Sequence, residues 1–417
     1  MQLKRVVVTG LGALTPIGNS HEEFWSNLLA GQSGAGPITR FDASQFKTQF
    51  ACEVKNFDVL NYMDRKEARK MDRFVHLAMA VAQEATEHSG LLQEALNRDR
   101  VGVIWGSGIG GIDTFLEECS NYAKGNGTPR FSPFFIPKMI ADLAPGNISM
   151  KYKFRGPNYS TVSACASASN AIIDALNLIR LGKMDACVTG GSEAAINEAS
   201  MGGFNSMQAL STRNDDPLTA SRPFDKDRDG FVMGEGAGCL ILEELEHAKA
   251  RGATIYAEVA GGACTADAHH LTAPHPEGLG AKAVMESVLD DHGGVEAQDV
   301  AYINVHGTST PLGDVAELKA IKAVFGEHSF KLNVSSTKSM TGHLLGAAGG
   351  VEAIATLMAV KNDIIPPTIN HFTDDPAIDP GFNLTFKEAQ KRSVPAAISN
   401  TFGFGGHNAS VLFKKYQ

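Results

Sequence analysis

The chain has 417 residues, 43% of them hydrophobic and 20% charged, with a formal net charge of −9. That length exceeds what one hydrophobic core usually supports, so two halves are expected, and the acidic balance excludes nucleic acid as the main partner. No apolar run reaches the ~18 residues of a membrane span, and residues 1–8 read as a strand rather than a signal peptide.

Short apolar, β-branched runs alternate with longer helical patterns, the sequence signature of an α/β architecture. Strands are expected at 6–9, 101–104, 186–189, 238–243, 257–260, 302–305 and 410–413. Residues 243–251 are charged, helix-favouring and closed by Gly252, which places the boundary between halves 1–252 and 253–417. Each half carries a strand, a small-residue loop and an apolar helix: 158–162 leading to Cys165 and on to Arg180, then 331–335 leading to Lys338 and His343 and on to Lys361. Packed about a pseudo-twofold axis, the two helix starts would face one shared site.

Six cysteines (52, 119, 165, 187, 239 and 264) form no C-x-x-C pair, so neither zinc nor a disulfide framework is indicated and a reducing cytoplasm is expected. Cys187 and Cys239 fall inside strands and read as core. Cys165, in Ser163-Ala164-Cys165-Ala166-Ser167, stands at a strand-to-helix turn where small neighbours allow a tight backbone. There a thiol meets unpaired N–H groups and the positive end of the helix dipole, an effect of about one pKa unit. That alone leaves it only partly ionised at neutral pH, so a partner from elsewhere in the chain is required.

Two of the thirteen histidines have unusual surroundings. His306 ends an apolar strand and is followed by Gly307-Thr308-Ser309-Thr310, which would aim it into a cleft. His343 lies in Lys338-Ser339-Met340-Thr341-Gly342-His343, with Glu352 nine residues on. Each histidine alone is as readily structural as catalytic. Three other patterns fail on their missing parts. Gly10-Leu11-Gly12 lacks the third glycine of a dinucleotide turn, Ser335-x-x-Lys338 has no S-D-N or K-T-G companion, and Gly106-Ser107-Gly108-Ile109-Gly110-Gly111 has no G-K-[ST].

Taken in order, the segments at 8–12, 107–111, 163–165, 222–225, 234–237, 306–310, 338–343 and 400–406 resemble the β-ketoacyl-[acyl-carrier-protein] synthases of the thiolase superfamily, nearest to the synthase II type. The resemblance implies a thiolase-like five-layer αβαβα fold made of two pseudo-twofold-related halves. It implies decarboxylative Claisen condensation: Cys165 takes an acyl chain from acyl carrier protein, and malonyl-acyl-carrier-protein loses CO2 and attacks it. His306 and His343 would hold the enolate, Lys338 would supply positive field and orient His343, and Glu352 would balance Lys338. The N–H groups of Cys165 and Phe404 would form the oxyanion hole.

The same resemblance assigns Thr308 and Thr310 to the pantetheine, Ile109 to the acyl pocket beside a homodimer interface, and Phe404 with Phe402 to an aromatic gate. Lys66, Arg69, Lys70 and Arg130 match carrier-docking positions, while Phe131 and Gln208 replace basic residues. Ser167–Asn170 and His407 also depart from the usual pattern. No bound cofactor or metal is implied, since substrates arrive on the carrier's phosphopantetheine. A thiolase would need a second, C-terminal cysteine, short-chain initiating synthases use His and Asn, and chain-length partner subunits lose the nucleophile. A polyketide or specialised-lipid ketosynthase is the alternative that keeps the same catalytic residues.

Overall fold

A computed structural model describes residues 3–291 and 293–417; of the N-terminal stretch read as a strand, residues 1–2 lie outside that range. The first half contributes β1 (Val6–Leu14), β2 (Val101–Gly106), β3 (Asn158–Thr161), β4 (Ala186–Glu193) and β5 (Gly236–Glu244). The second contributes β6 (Ala257–Ala266), β7 (Val300–Asn304), β8 (Asn333–Ser335), β9 (Ala396–Gly403) and β10 (His407–Lys414). Outward from the centre the strand order is β1-β5-β4-β2-β3 on one side and β6-β10-β9-β7-β8 on the other. Both sides run antiparallel through the inner three strands and parallel through the outer three. The two halves therefore repeat one plan strand for strand. A two-residue antiparallel pairing, Val7 with Glu258 and Val8 with Ala257, joins them.

Helices make the other three layers. α1 (Arg73–Ser89) and α2 (Leu143–Tyr152) cover the outer face of the first sheet, and α4 (Leu279–Asp290) covers that of the second with α5 (Gly313–Phe325) beside it. Between the sheets lie α3 (Ser167–Arg180) and α6 (Ala348–Asn362), each touching strands of both halves. The central pair is buried nearly all round, which explains small apolar runs such as Ala348-Gly349-Gly350 in place of a one-sided stripe. A Cβ on Gly238 of β5 would stand 2.6 Å from the Gly350 carbonyl carbon, so glycine sets how closely helix and sheet approach. This is the five-layer αβαβα arrangement expected from the resemblance.

Differences from the sequence reading lie mainly in element ends. β1 extends to Leu14 and β6 to Ala266, because small residues such as Gly10, Gly12, Gly261 and Gly262 stay paired with neighbouring strands, across register shifts at Gly10 and Gly261, despite weak strand propensity. The expected helix at 243–251 is shorter, Leu245–Ala250, since Glu243 and Glu244 remain in β5. β9 was not anticipated at all. Its Ala-Ala-Ile-Ser-Asn-Thr run carries few β-branched residues yet is paired along both edges.

Candidate functional site

Cys165 sits in a single 3-10 turn, Ala164–Ala166, between β3 and α3. Ala164 takes a left-handed φ of 50°, and Leu345 repeats this at 47° in the equivalent turn Leu345–Ala347 before α6. Residues that depart from the usual pattern pin the elbow. Ser163 N–H donates to Ser167 Oγ (3.0 Å), Ser167 Oγ donates to the Ala164 carbonyl (2.7 Å), and Asn170 Nδ2 donates to Ser163 Oγ (2.6 Å). The side chain of Cys165 is 8% exposed and lines a cavity of about 720 Å³.

The helix start is not the main influence on this thiol. Burial pushes it up to about 12, against the charge of Lys338 and a hydrogen bond from the Phe404 N–H, while Glu193 and Glu352 add to the rise. The resting group is a thiol. Its nearest proton acceptor is His343 Nε2, 3.0 Å from Sγ.

His306 stands with its ring edge-on to His343, centroids 5.2 Å apart and planes at 88°. Phe231 packs edge-on against His343 from another direction, at 5.3 Å. Burial pushes both imidazoles well below the usual histidine range, and the Lys338 charge pushes further; His343 adds to the effect on His306. Both rings are therefore neutral near pH 7. Lys338 itself is 1% exposed and ion-paired with Glu352, whose carboxyl burial lifts to about 7. Among the described residues Lys338 makes no hydrogen bond to His343, so its influence on that ring is through charge, not contact.

Thr308 and Thr310 place their hydroxyls 3.1 Å apart on the cavity wall. Ile109, Phe402 and Phe404 line the same cavity; Ile109 is 40% exposed, Phe402 faces His306 at 5.8 Å, and Phe404 faces Phe204 at 6.4 Å. Lys66, Arg69 and Lys70 come together with Arg65 and Phe134 around a separate surface groove of about 430 Å³. Arg130 is exposed but does not line it. His407 is exposed at the start of β10.

Sequence reasoning missed Glu317. Fully buried on α5, it accepts the N–H groups of His306 and Gly307, each at 3.0 Å, and Asn400 Nδ2 at 3.2 Å. Burial lifts its carboxyl to about 7 against these donors. The one available signal was an acidic residue eleven positions after His306, on a helix face whose other buried residues are apolar except Asp314 one turn before. No group of three or more His, Cys, Asp or Glu that could hold a metal is found among the described residues. The assembled site pairs a thiol with two neutral imidazoles, backed by a buried cation, in a cavity of about 720 Å³. Such a site suits acyl transfer followed by stabilisation of an enolate.

Comparison with known proteins points the same way. Residues 3–248 match the family model described as beta-ketoacyl synthase, N-terminal domain, and residues 256–372 match that of the C-terminal domain. The chain is 54% identical to the 3-oxoacyl-[acyl-carrier-protein] synthase 2 of Synechocystis sp., covering 100% of this chain and 99% of the relative. Among solved structures it resembles a beta-ketoacyl synthase from Burkholderia phymatum STM815, with TM-score 0.92 and 35% identity over 99% of this chain and 100% of that one. It also resembles AntDE:AntF, a type II PKS acyl-carrier protein in complex with its ketosynthase, with TM-score 0.90 and 30% identity over 100% of both chains.

Proposed function

The chain belongs to the β-ketoacyl synthase family, and from that premise we propose that it lengthens acyl chains by decarboxylative condensation in fatty acid elongation. The observation that carries this reading is the 3.0 Å approach of His343 Nε2 to Cys165 Sγ beside the edge-on His306 ring. In the first half-reaction Cys165 Sγ attacks the thioester carbonyl of an acyl-carrier protein. The thiol proton ends on the departing pantetheine sulfur, and the N–H groups of Cys165 and Phe404 hold the oxyanion.

In the second, the malonyl carboxylate leaves as CO2, and its electron pair forms an enolate whose oxygen takes an N–H from each neutral imidazole. Once the sulfur is acylated, His343 Nε2 has no thiol proton to accept and can carry its own. The carbanion carbon then attacks the Cys165 thioester, releasing the thiolate and a 3-oxoacyl carrier two carbons longer. Glu317 keeps His306 in place through its backbone N–H. Identity of 54% over the whole chain to a synthase 2, against 30% to a polyketide ketosynthase, favours elongation of fatty acids over the polyketide alternative.

An acidic carrier would dock at the groove of Arg65, Lys66, Arg69, Lys70 and Phe134, with its arm reaching Thr308 and Thr310. A second copy of the chain would cover the outer edge of β3, where Tyr159 and Val162 are 36% and 64% exposed, and Ile109 near it. Six free cysteines support a reducing, cytoplasmic setting, and no helix among the described residues is long and apolar enough to cross a membrane.

Intact-mass analysis after mixing the protein with acyl-carriers of graded length tests the reading. One acyl adduct per chain is expected in the native protein and none in Cys165→Ala. Continued loading of the variant at another residue would sink the assignment.

A further inference from the structure

Glu193, the last residue of β4, is completely buried. Its Oε2 accepts the N–H groups of Gly108 (2.7 Å) and Gly346 (3.0 Å), and its Oε1 accepts the Ile109 N–H (3.2 Å) and Ser107 Oγ (3.1 Å). All four donors are neutral. Three come from the loop that follows β2 in the first half, and the fourth from the Leu345–Ala347 turn of the second. The contact is tight on both sides. A Cβ on Gly346 would lie 2.2 Å from the Gly108 nitrogen and 2.6 Å from Glu193 Oε2, and one on Gly108 would lie 2.9 Å from that oxygen.

A buried carboxyl is retained only where donors meet its oxygens, and here the donors belong to segments of opposite halves. The first segment carries Ile109 and the second Leu345, and both side chains line the cavity that reaches Cys165. Glu193 does not line it. We propose that Glu193 is a specificity-determining positioning residue: it clamps the Ile109 loop to the Leu345 turn and so sets the width of the acyl compartment without touching the acyl chain. The inference rests on the acyl-transfer reading above and assigns the selection of chain length to a residue outside the pocket wall.

The chemistry of substitution gives the test. Glu193→Gln keeps the shape but replaces one acceptor oxygen by an NH2 group that faces N–H donors. Ser107→Ala removes one donor to Glu193, and with it the acceptor of the Gly110 N–H (3.1 Å), but leaves the three backbone N–H contacts to the carboxylate, a gentler change that serves if the first variant fails to fold. The readout is the rate of acyl loading on Cys165, by intact mass, across carriers of graded length. The ratio of rates for the preferred length and the next longer one is expected to change by about fivefold or more in Glu193→Gln, and by about twofold in the same direction in Ser107→Ala. Combining Glu193→Gln with Ile109→Ala should shift the ratio little beyond Ile109→Ala alone, because the clamp acts through that side chain.

A variant that slows loading equally at every length has a structural role only, and that result overturns the proposal, as does strict additivity with Ile109→Ala. If Glu193→Gln is insoluble, an unmoved ratio in Ser107→Ala overturns it. A native protein that loads no acyl chain would sink the acyl-transfer reading and the clamp together. Normal native loading with an unmoved profile in the variants sinks the clamp alone.

Discussion

Burial and hydrogen bonding pull the Cys165 thiol in opposite directions, and burial wins, lifting it to about 12. Below that value the thiolate fraction grows about tenfold per pH unit, so alkylation of Cys165 by iodoacetamide should climb steadily through pH 9.5, where a free cysteine near 8.5 is already levelling off. A plateau at pH 8–9 would show that the site ionises its nucleophile in the resting state. For the histidines the sign is opposite. Their charged forms are disfavoured, so the neutral N–H donors persist as pH falls through 6.5 and are lost only where the lowered values are reached. Decarboxylation of malonyl-carrier should therefore show no acid limb centred on 6.5. His306→Ala or His343→Ala should lower it by about 10²–10³ while some transacylation survives. Cys165, His306 and His343 were legible because each lies in a short motif whose type and order carry information. Glu317 and Glu193 were not. A buried carboxylate is defined by its donors, and those of Glu193 lie 84 to 153 residues away in sequence.

Strands and helices show the same limit in another form. The α/β alternation could be read from apolar runs, and nine of the ten main strands overlap a segment expected to be one. Their ends, and β9 entirely, escaped because pairing on both edges holds residues that lack intrinsic strand preference. Glycines in the layered core also changed meaning once neighbours were known. A Cβ added to Gly238 would lie 2.6 Å from the backbone of Gly350 and Val351, whereas one on Gly203, in the helix Glu198–Ser206, would have nothing within 4 Å. Gly238→Ala should thus force α6 off β5 and cost about 1–3 kcal/mol. Gly203→Ala should stabilise by about 0.5–1 kcal/mol through helix propensity and a less flexible unfolded chain. Urea unfolding midpoints of the two variants should move in opposite directions; a shared direction would mean the central helix is not held by close packing.

At the scale of the molecule, two copies of one strand plan bring a thiol from the first half to histidines from the second, the halves being divided at 252/253 in our proposal. The repeat showed only faintly in sequence, since strand order across a sheet is set by long-range pairing that no local pattern encodes. Charge poses the remaining question. With a net charge of −9 the whole chain would repel an acidic carrier, so docking depends on local fields. The groove at Arg65, Lys66, Arg69 and Lys70 concentrates four cations around Phe134, although Lys70 is partly offset by Glu67 at 2.6 Å. Its attraction should be short-ranged and salt-sensitive, because the screening length falls from about 10 Å at 0.1 M to about 3 Å at 1 M ionic strength. Reversing Lys66 and Arg69 together to Glu should raise KM for acyl-carrier by about tenfold, leave kcat largely intact, and flatten the dependence of KM on salt. An acyl-pantetheine lacking the carrier protein supplies the control, since it never meets the groove. Its KM should be unmoved by the reversal and by salt. An equal rise for both substrates would place the effect in the cavity and remove the groove from carrier recognition.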